Sequence, residues 1–507
     1  MSSTASRIIK NTGWLYAKMG ITMFISLYTT RLILLGLGAS DFGIYNIVGG
    51  AIAMLGFLNS AMSSATQRFM NYSEGEGNET KKKIIFNVSY YLHLGISAVV
   101  AFILIIAGFI FFHGVLNIPE ERMTAAYVVY GSLIISTVFT IMSVPYAAVL
   151  NSHENMRYYS LVGIMESVLK LIVAFTCVYS AYDKLIVYGI LMALIPIISR
   201  IVMRVYCNRR YNECVVSFKQ YYDKQTMKEM TSFAGWNFLG SSSSMVGNYG
   251  NGLVMNHFWG TTLNAAMGVA GQLDGMLHTL SNNLLKALNP VITKTEGAGN
   301  RERMLYMTMS GSKLSFFLYS LICVPFFLEM PYILQLWLKN VPQWAIVFAR
   351  LQLMRTLIEQ FTCTFGSAIN AEGHISRMNK VNMFLNIIPL ALNIILFSAG
   401  FSPISLYIVN VLVFGVGLSA SKIYFIHEIC GMGYRKSILQ LVVPLTIVTI
   451  LILSIGYIIH LAIVDCIYRL ILLITVSILL HFILYYVFVL NKQERSIVIS
   501  LRKIYKK

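Results

Sequence analysis

Charge is what this sequence lacks. Only 12% of its residues are Asp, Glu, Lys or Arg, about half the share usual in a soluble domain. Beside a hydrophobic content of 57%, that scarcity excludes a soluble globular enzyme and a disordered chain. No C-x-x-C pair occurs among the seven cysteines, so neither a disulfide scaffold nor a zinc or thiol-redox centre is indicated. Most of the cysteines fall in apolar segments and read as small packing residues. Acids are scarcer still, 21 against 39 Lys and Arg, for a net charge of +18. A nucleic-acid binder would carry that charge on polar, exposed faces. Here long apolar runs interrupt it, so no nucleic-acid partner is expected, and neither a cofactor nor a metal is. Long polar stretches are also missing. No connection exceeds about 25 residues, which leaves no room for a soluble catalytic domain and points away from an enzyme.

What the chain has instead is apolar blocks such as 96–112 and 470–490, close to the length that crosses a bilayer. They read as helices, because an open strand cannot satisfy its backbone in lipid. The expected spans are 14–37, 42–70, 84–112, 124–150, 158–180, 185–206, 231–258, 262–290, 304–329, 343–370, 379–400, 403–427, 437–460 and 466–490. The fold class is thus an all-α polytopic membrane protein of about fourteen helices. No small-residue cleavage site follows the first apolar run, so that span is expected to be retained.

Lys and Arg sort to one side of these spans. With the N-terminus in the cytoplasm, the cytoplasmic segments hold 24 of them and the opposite side three, Arg122, Lys184 and Lys339. This positive-inside asymmetry places both termini in the cytoplasm and asks for an even number of spans. It also accounts for much of the net charge.

A shift of 222 residues aligns 13–78 with 235–300 without a gap. Gly13-Trp14 meets Gly235-Trp236, Gly38 meets Gly260, Met54-Leu55 meets Met276-Leu277, and Gly77-Asn78 meets Gly299-Asn300. In all, 13 of 66 positions are identical, too many for apolar bias alone. Both copies start from the cytoplasm, so the repeat is parallel. The expected domains are 1–207 as a six-span lobe, 208–230 as a cytoplasmic linker, 231–430 as a second lobe, 431–490 as two further spans, and 491–507 as a basic tail. Transporters commonly arise from such repeats, with substrate near the midplane.

Polar residues mark a candidate path. Asn237, Ser241, Ser244, Asn248 and Asn251 recur at helical spacing in the seventh span. Span 8 offers Asp274, His278, Ser281, Asn282 and Asn289; span 2 offers Asn59, Ser60, Ser63, Ser64 and Gln67. Packing of helices through small polar residues is the alternative, above all for the serines. Intramembrane charges cost several kcal/mol unless paired or wet. The deeper ones are Lys18, Arg31, Glu166, Lys170, Asp274, Arg350, Arg355 and Glu359, with Arg68, Lys286 and Lys313 nearer the ends. Glu166–Lys170 and Arg355–Glu359 sit four apart, where each can pair with itself. Arg31 and Arg350 have no opposite charge one turn away, and either can snorkel. The excess is cationic, which suits an anionic cargo, and Arg is shaped for phosphate. Asp274–His278 suggests proton coupling or a plain hydrogen-bonded pair; Glu359 is a further coupling candidate.

Gly13-Trp14, Arg31, Leu35-Gly36 and Asp41-Phe42-Gly43-Ile44-Tyr45, with the segment from Asn289-Pro290 to Gly299-Asn300, resemble the bacterial polysaccharide flippases of the Wzx type. These belong to the multidrug/oligosaccharidyl-lipid/polysaccharide (MOP) exporter superfamily, which also holds the lipid II flippases and the multidrug and toxin extrusion (MATE) exporters. The resemblance implies a V-shaped pair of six-helix lobes. It implies alternating-access transport of an undecaprenyl-diphosphate-linked oligosaccharide from the cytoplasmic to the periplasmic leaflet of the inner membrane, for O-antigen or other surface polysaccharide. Cavity cations would hold the diphosphate: Arg31 matches by its place in span 1, Arg355 and Lys18 by location, with Lys286 as a helper. Asn59, Ser63, Gln67, Asn237, Ser241, Ser244, Asn248 and Asn282 would meet the sugars. Spans 13–14 would form a groove for the lipid tail. The lipid bilayer and proteins of glycan assembly, a polymerase among them, are the other expected partners. The rival reading is a cation-coupled MATE-like drug exporter, but the acidic cation site of many such exporters has no clear match in spans 1 and 2.

Overall fold

The computed structural model describes residues 2–53, 56–112, 118–338 and 341–496. The repeat pair Met54-Leu55 and the tail cations Arg502, Lys503, Lys506 and Lys507 lie outside them. Among the described residues every regular element is helical and there is no strand, as a backbone in lipid requires. The main helices are α1 (Ser2–Ala53), α2 (Gly56–Glu76), α3 (Glu79–Ile110), α4 (Met123–Ser152), α5 (Met156–Tyr179) and α6 (Lys184–Arg210). They continue as α7 (Lys224–Trp259), α8 (Thr261–Gly297), α9 (Arg301–Leu328), α10 (Ala345–Gln360), α11 (Phe365–Glu372) and α12 (Ser376–Ser398). The last three are α13 (Ile404–Cys430), α14 (Tyr434–Ala462) and α15 (Ile467–Val489).

Among the described residues ten helices are long and apolar enough to cross a membrane, so the chain is a multi-pass membrane protein. The expected spans 42–70, 231–258, 262–290 and 343–370 are also helical for most of their length, but they are not among the ten. The last of them is broken: α10 ends at Gln360 and α11 begins at Phe365. Buried Thr364 fills the break, donating from Oγ1 to the Thr308 carbonyl at 2.6 Å. The helices that fall short carry the polar stripes singled out from sequence on spans 2, 7 and 8, together with Arg355 and Glu359.

Backbone geometry reproduces the repeat. α1 is interrupted at Gly38 (φ 73°, ψ 173°), and its repeat mate Gly260 adopts φ 75°, ψ −174° between α7 and α8. This is a left-handed region open chiefly to glycine. Gly77 (φ 71°) and Gly299 (φ 73°) match in the same way. Asn78 then caps α3 by accepting from the Lys81 N–H, and Asn300 caps α9 by accepting from the Arg303 N–H. The same sequence therefore makes the same stop and start twice.

The chain divides into two compact units, one of Ile9–Phe238 and one that starts at Leu239 and takes in the first residues up to Ile8. The first has a core of Val100, Leu104, Ala126, Val129, Ala174 and Leu185. Gly108 is required there: a Cβ would run into the Tyr130 ring, whose hydroxyl donates to the Leu104 carbonyl at 2.6 Å. The second unit centres on Ala270, Leu273, Phe348, Ala349, Leu353 and Leu406. α14 and α15 join this unit against α9. Fully buried Glu329 accepts from Arg469 at 2.7 Å and pairs with His460 at 2.8 Å. Nearer the other end Lys313 donates to Glu494 and to the Val489 carbonyl, both at 3.0 Å.

The segment between α6 and α7 is bolted to the first unit. Buried Asn87 donates to the Val215 carbonyl at 2.6 Å and accepts from the Ser217 N–H at 2.7 Å. Tyr211 stacks on His153 with centroids 4.1 Å apart. Glu213, beside it, takes the His153 Nε2 at 2.5 Å.

Candidate functional site

In the first unit, Arg31 is exposed on α1, seven residues before the Gly38 break. Among the described residues it has no hydrogen-bond or ion-pair partner. Lys18, also on α1, lies over the Tyr159 ring at 4.5 Å. It fits because Gly163 on α5 has no side chain; a Cβ there would overlap the Lys18 methylene chain. Glu166 and Lys170 do not pair: no ion pair joins them, although their spacing allows one. On α2, Gln67 donates to Ser63 at 3.2 Å. The Asn59 Oδ1 is buried with no partner among the described residues. Asn237 donates to the Phe233 carbonyl one turn back on α7.

In the second unit the polar stripe of α7 divides between two faces. Asn248 is exposed and turns back on its own helix, donating to the Ser244 carbonyl at 2.9 Å. Ser241 and Ser244 are half-buried beside it. Asn251 is buried and belongs elsewhere: it donates to Asn410 on α13 at 3.1 Å and accepts from Asn393 on α12 at 3.0 Å. Ser243, which accepts from Asn386 at 3.1 Å, continues this packed face. The sequence pattern thus joined a packing residue, Asn251, to an open face.

On α8, Asn282 and Lys286 are exposed and His278 is half-buried. No partner for Lys286 or His278 lies among the described residues. Asp274 is held, but not by His278. It accepts from the Tyr319 hydroxyl of α9 at 3.1 Å and from Gln352 of α10 at 2.9 Å. The hydrogen-bonded Asp274–His278 pair, one of the two readings of that spacing, is replaced by contacts from two other helices. Arg355 pairs with Glu359 through Nε at 2.7 Å and lies over the Phe414 ring at 4.6 Å. Arg350 donates to the Phe327 and Leu328 carbonyls at 2.9 and 3.2 Å, which occupies part of its guanidinium locally.

Sequence reasoning missed Tyr319 and Gln352, because hydroxyl and amide side chains give no charge signal inside an apolar run. It also missed Arg200 of α6, which stacks on Phe139 at 5.4 Å.

A family model described as polysaccharide biosynthesis protein matches residues 8–296, more than half of the chain. The chain belongs to the polysaccharide biosynthesis protein family. No curated protein matches its sequence significantly. Among solved structures, a MATE transporter in complex with MaD3S aligns with a TM-score of 0.73 at 12% identity, over 85% of this chain and 97% of that one. An outward-facing MATE multidrug resistance transporter of the MOP superfamily gives 0.73 at 12%, over 84% and 96%. A MOP transporter from Pyrococcus furiosus, described as having a binding pocket of reversed polarity, gives 0.68 at 12%, over 84% and 97%. This member of the polysaccharide biosynthesis family therefore has the MOP transporter fold. Within that fold α1, α2, α7 and α8 carry polar groups of a kind that a lipid-facing helix avoids.

Proposed function

We propose that the chain carries an undecaprenyl-diphosphate-linked oligosaccharide from the cytoplasmic to the periplasmic leaflet of the bacterial inner membrane, for surface polysaccharide assembly. Both termini then lie in the cytoplasm, and the path opens to one leaflet at a time. The observation that supports this most is the charge balance of the polar helices. Arg31 and Lys286 are exposed cations with no carboxylate partner among the described residues, whereas the acids Asp274 and Glu359 are already engaged. That balance favours an anionic cargo. Arg31 and Lys286 would meet the diphosphate first. Lys18 and Arg355 would contribute after leaving Tyr159 and Glu359. Asn59, Ser63, Gln67, Asn237, Ser241, Ser244, Asn248 and Asn282 would meet the sugars. Asp274, with Tyr319 and Gln352, is the candidate for proton coupling; His278 and Glu359 are secondary.

Native mass spectrometry of the purified chain with undecaprenyl-diphosphate-oligosaccharide tests the reading. Saturable binding is expected, weakened about tenfold in Arg31→Gln, which corresponds to ~1.4 kcal/mol, and less in Arg355→Gln. Absence of binding to any diphosphate lipid overturns it. The MATE fold of the structural neighbours keeps one rival in view, a cation-coupled drug exporter. Under that reading, gene loss sensitises cells to cationic dyes and leaves surface glycan intact.

A further inference from the structure

The first unit holds a second cationic place, built from residues not assigned to transport. Arg200 lies in α6, half-buried, with no carboxylate within ion-pair distance among the described residues. Its Nη2 is 3.5 Å from the Tyr90 hydroxyl of α3, and its guanidinium stacks on Phe139 of α4. Its Nε is buried with no partner among the described residues. Tyr146 of α4 is fully buried, wedged edge-on against Phe86 at 5.5 Å, and its hydroxyl also lacks a partner among the described residues. Tyr146 stands seven residues, about two turns, beyond Phe139 on the same face of α4. Ser199, next to Arg200 and 2% exposed, adds a third orphaned polar atom.

These orphans share one property. The Arg N–H is a donor, and the Tyr and Ser hydroxyls are free to donate. A buried donor left unmatched is costly, and so is an intramembrane cation with no counter-charge. A single anion with several oxygens relieves both, and phosphate matches a guanidinium especially well.

The surroundings say how it arrives. Ile198, Ile201 and Val205, flanking Arg200 on α6, are 38%, 54% and 45% exposed, as lipid-facing residues are. Arg200 and Arg204 precede the helix end at Arg210 by ten and six residues, about 15 and 9 Å along the axis. Arg204 is exposed and stands nearer the Arg-rich end of the helix, where lipid head groups lie.

We propose that Arg200, Tyr146 and Tyr90, with Arg204 at the mouth, bind the head-group phosphate of a membrane lipid that enters beside α6. The site stands without the transport reading. Its phosphate can come from a resident phospholipid or from a polyprenyl diphosphate, and the test separates the two.

The purified full-length chain is incubated with phosphatidylglycerol, with undecaprenyl diphosphate, or with diacylglycerol as a phosphate-free control, and lipid retention is read by native mass spectrometry. Wild type is expected to retain at least one phosphate-bearing lipid and to release diacylglycerol. Arg200→Gln is expected to lower that retention about tenfold, and Tyr146→Phe about fivefold, the loss of roughly one hydrogen bond. Retention of phosphatidylglycerol alone assigns a resident phospholipid; retention of undecaprenyl diphosphate alone assigns the polyprenyl lipid; either supports the site. Retention by Arg200→Gln equal to wild type overturns it. If Arg200→Gln fails to fold, Tyr146→Phe decides, and undiminished retention there overturns the proposal equally.

Discussion

Glu213 is a carboxylate that burial alone would make harder to ionise, yet its pKa is held below the ordinary value of 4.5. Its hydrogen bond to His153, its own backbone N–H and the nearby charge of His153 outweigh the burial. A depressed carboxylate contributes stability above its unfolded pKa and loses it as pH falls through the folded one. Glu213→Gln should therefore melt below wild type at pH 7, with the gap closing as the buffer is taken below about 4.5. Melting curves of both proteins across that range check this; a gap that ignores pH contradicts it. Glu329 makes a stronger demand. It is fully buried and serves Arg469 and His460 together. Breaking a buried pair on one side typically costs about 3 kcal/mol or more. Glu329→Gln should lower Tm clearly, and an unchanged Tm contradicts the role given to this ion pair in fixing α14 and α15 to α9.

At the scale of elements, α7 shows what spacing can and cannot reveal. Its polar residues do share a helical surface, as read from the sequence. The packed face next to it runs through Gly240, Ser243 and Gly247, and Asn251 sits on the border between the two. A Cβ at 247 would overlap the Asn386 carbonyl oxygen of α12, whereas the Asn379 amide only brushes position 240. Gly247→Ala is expected to cost ~1–3 kcal/mol through overpacking, and Gly252→Ala, where nothing lies close, much less. Comparable melting of the two variants would contradict the close α7–α12 approach. Asp274 teaches the same lesson in reverse. Its partners lie 45 and 78 residues away, so no local spacing announces them, while the nearby His278 attracts the eye and remains apart. Asn87 is likewise silent in sequence, yet it grips the α6–α7 connection from both ends of its amide. Asn87→Ala should speed hydrogen exchange across residues 211–217, with α4 unaffected.

For the whole molecule, the sequence was legible where one physical rule acts alone. Apolar length marks the ten helices that, among the described residues, are long and apolar enough to cross a membrane. The duplicated Gly38/Gly260 and Gly77-Asn78/Gly299-Asn300 positions mark where helices break and restart. Which intramembrane charges stay unpaired was not legible, because Glu166–Lys170 and Arg355–Glu359 have the same spacing and only the second forms an ion pair. That distinction bears on the transport proposal, since it separates paired Arg355 from Arg31 and Lys286, which have no carboxylate partner among the described residues. A carrier that returns empty with a positive charge gains about 2.3 kcal/mol per charge per 100 mV, so collapsing the membrane potential at constant proton gradient should slow transport. The central claim is tested most directly by reconstituting the protein in liposomes. A labelled undecaprenyl-diphosphate-oligosaccharide is placed in one leaflet, and its appearance in the other is followed with an impermeant glycosidase. The account predicts protein-dependent translocation that Arg31→Gln slows about tenfold. Absence of translocation by wild type, in vesicles that do accumulate a cationic dye, would contradict it.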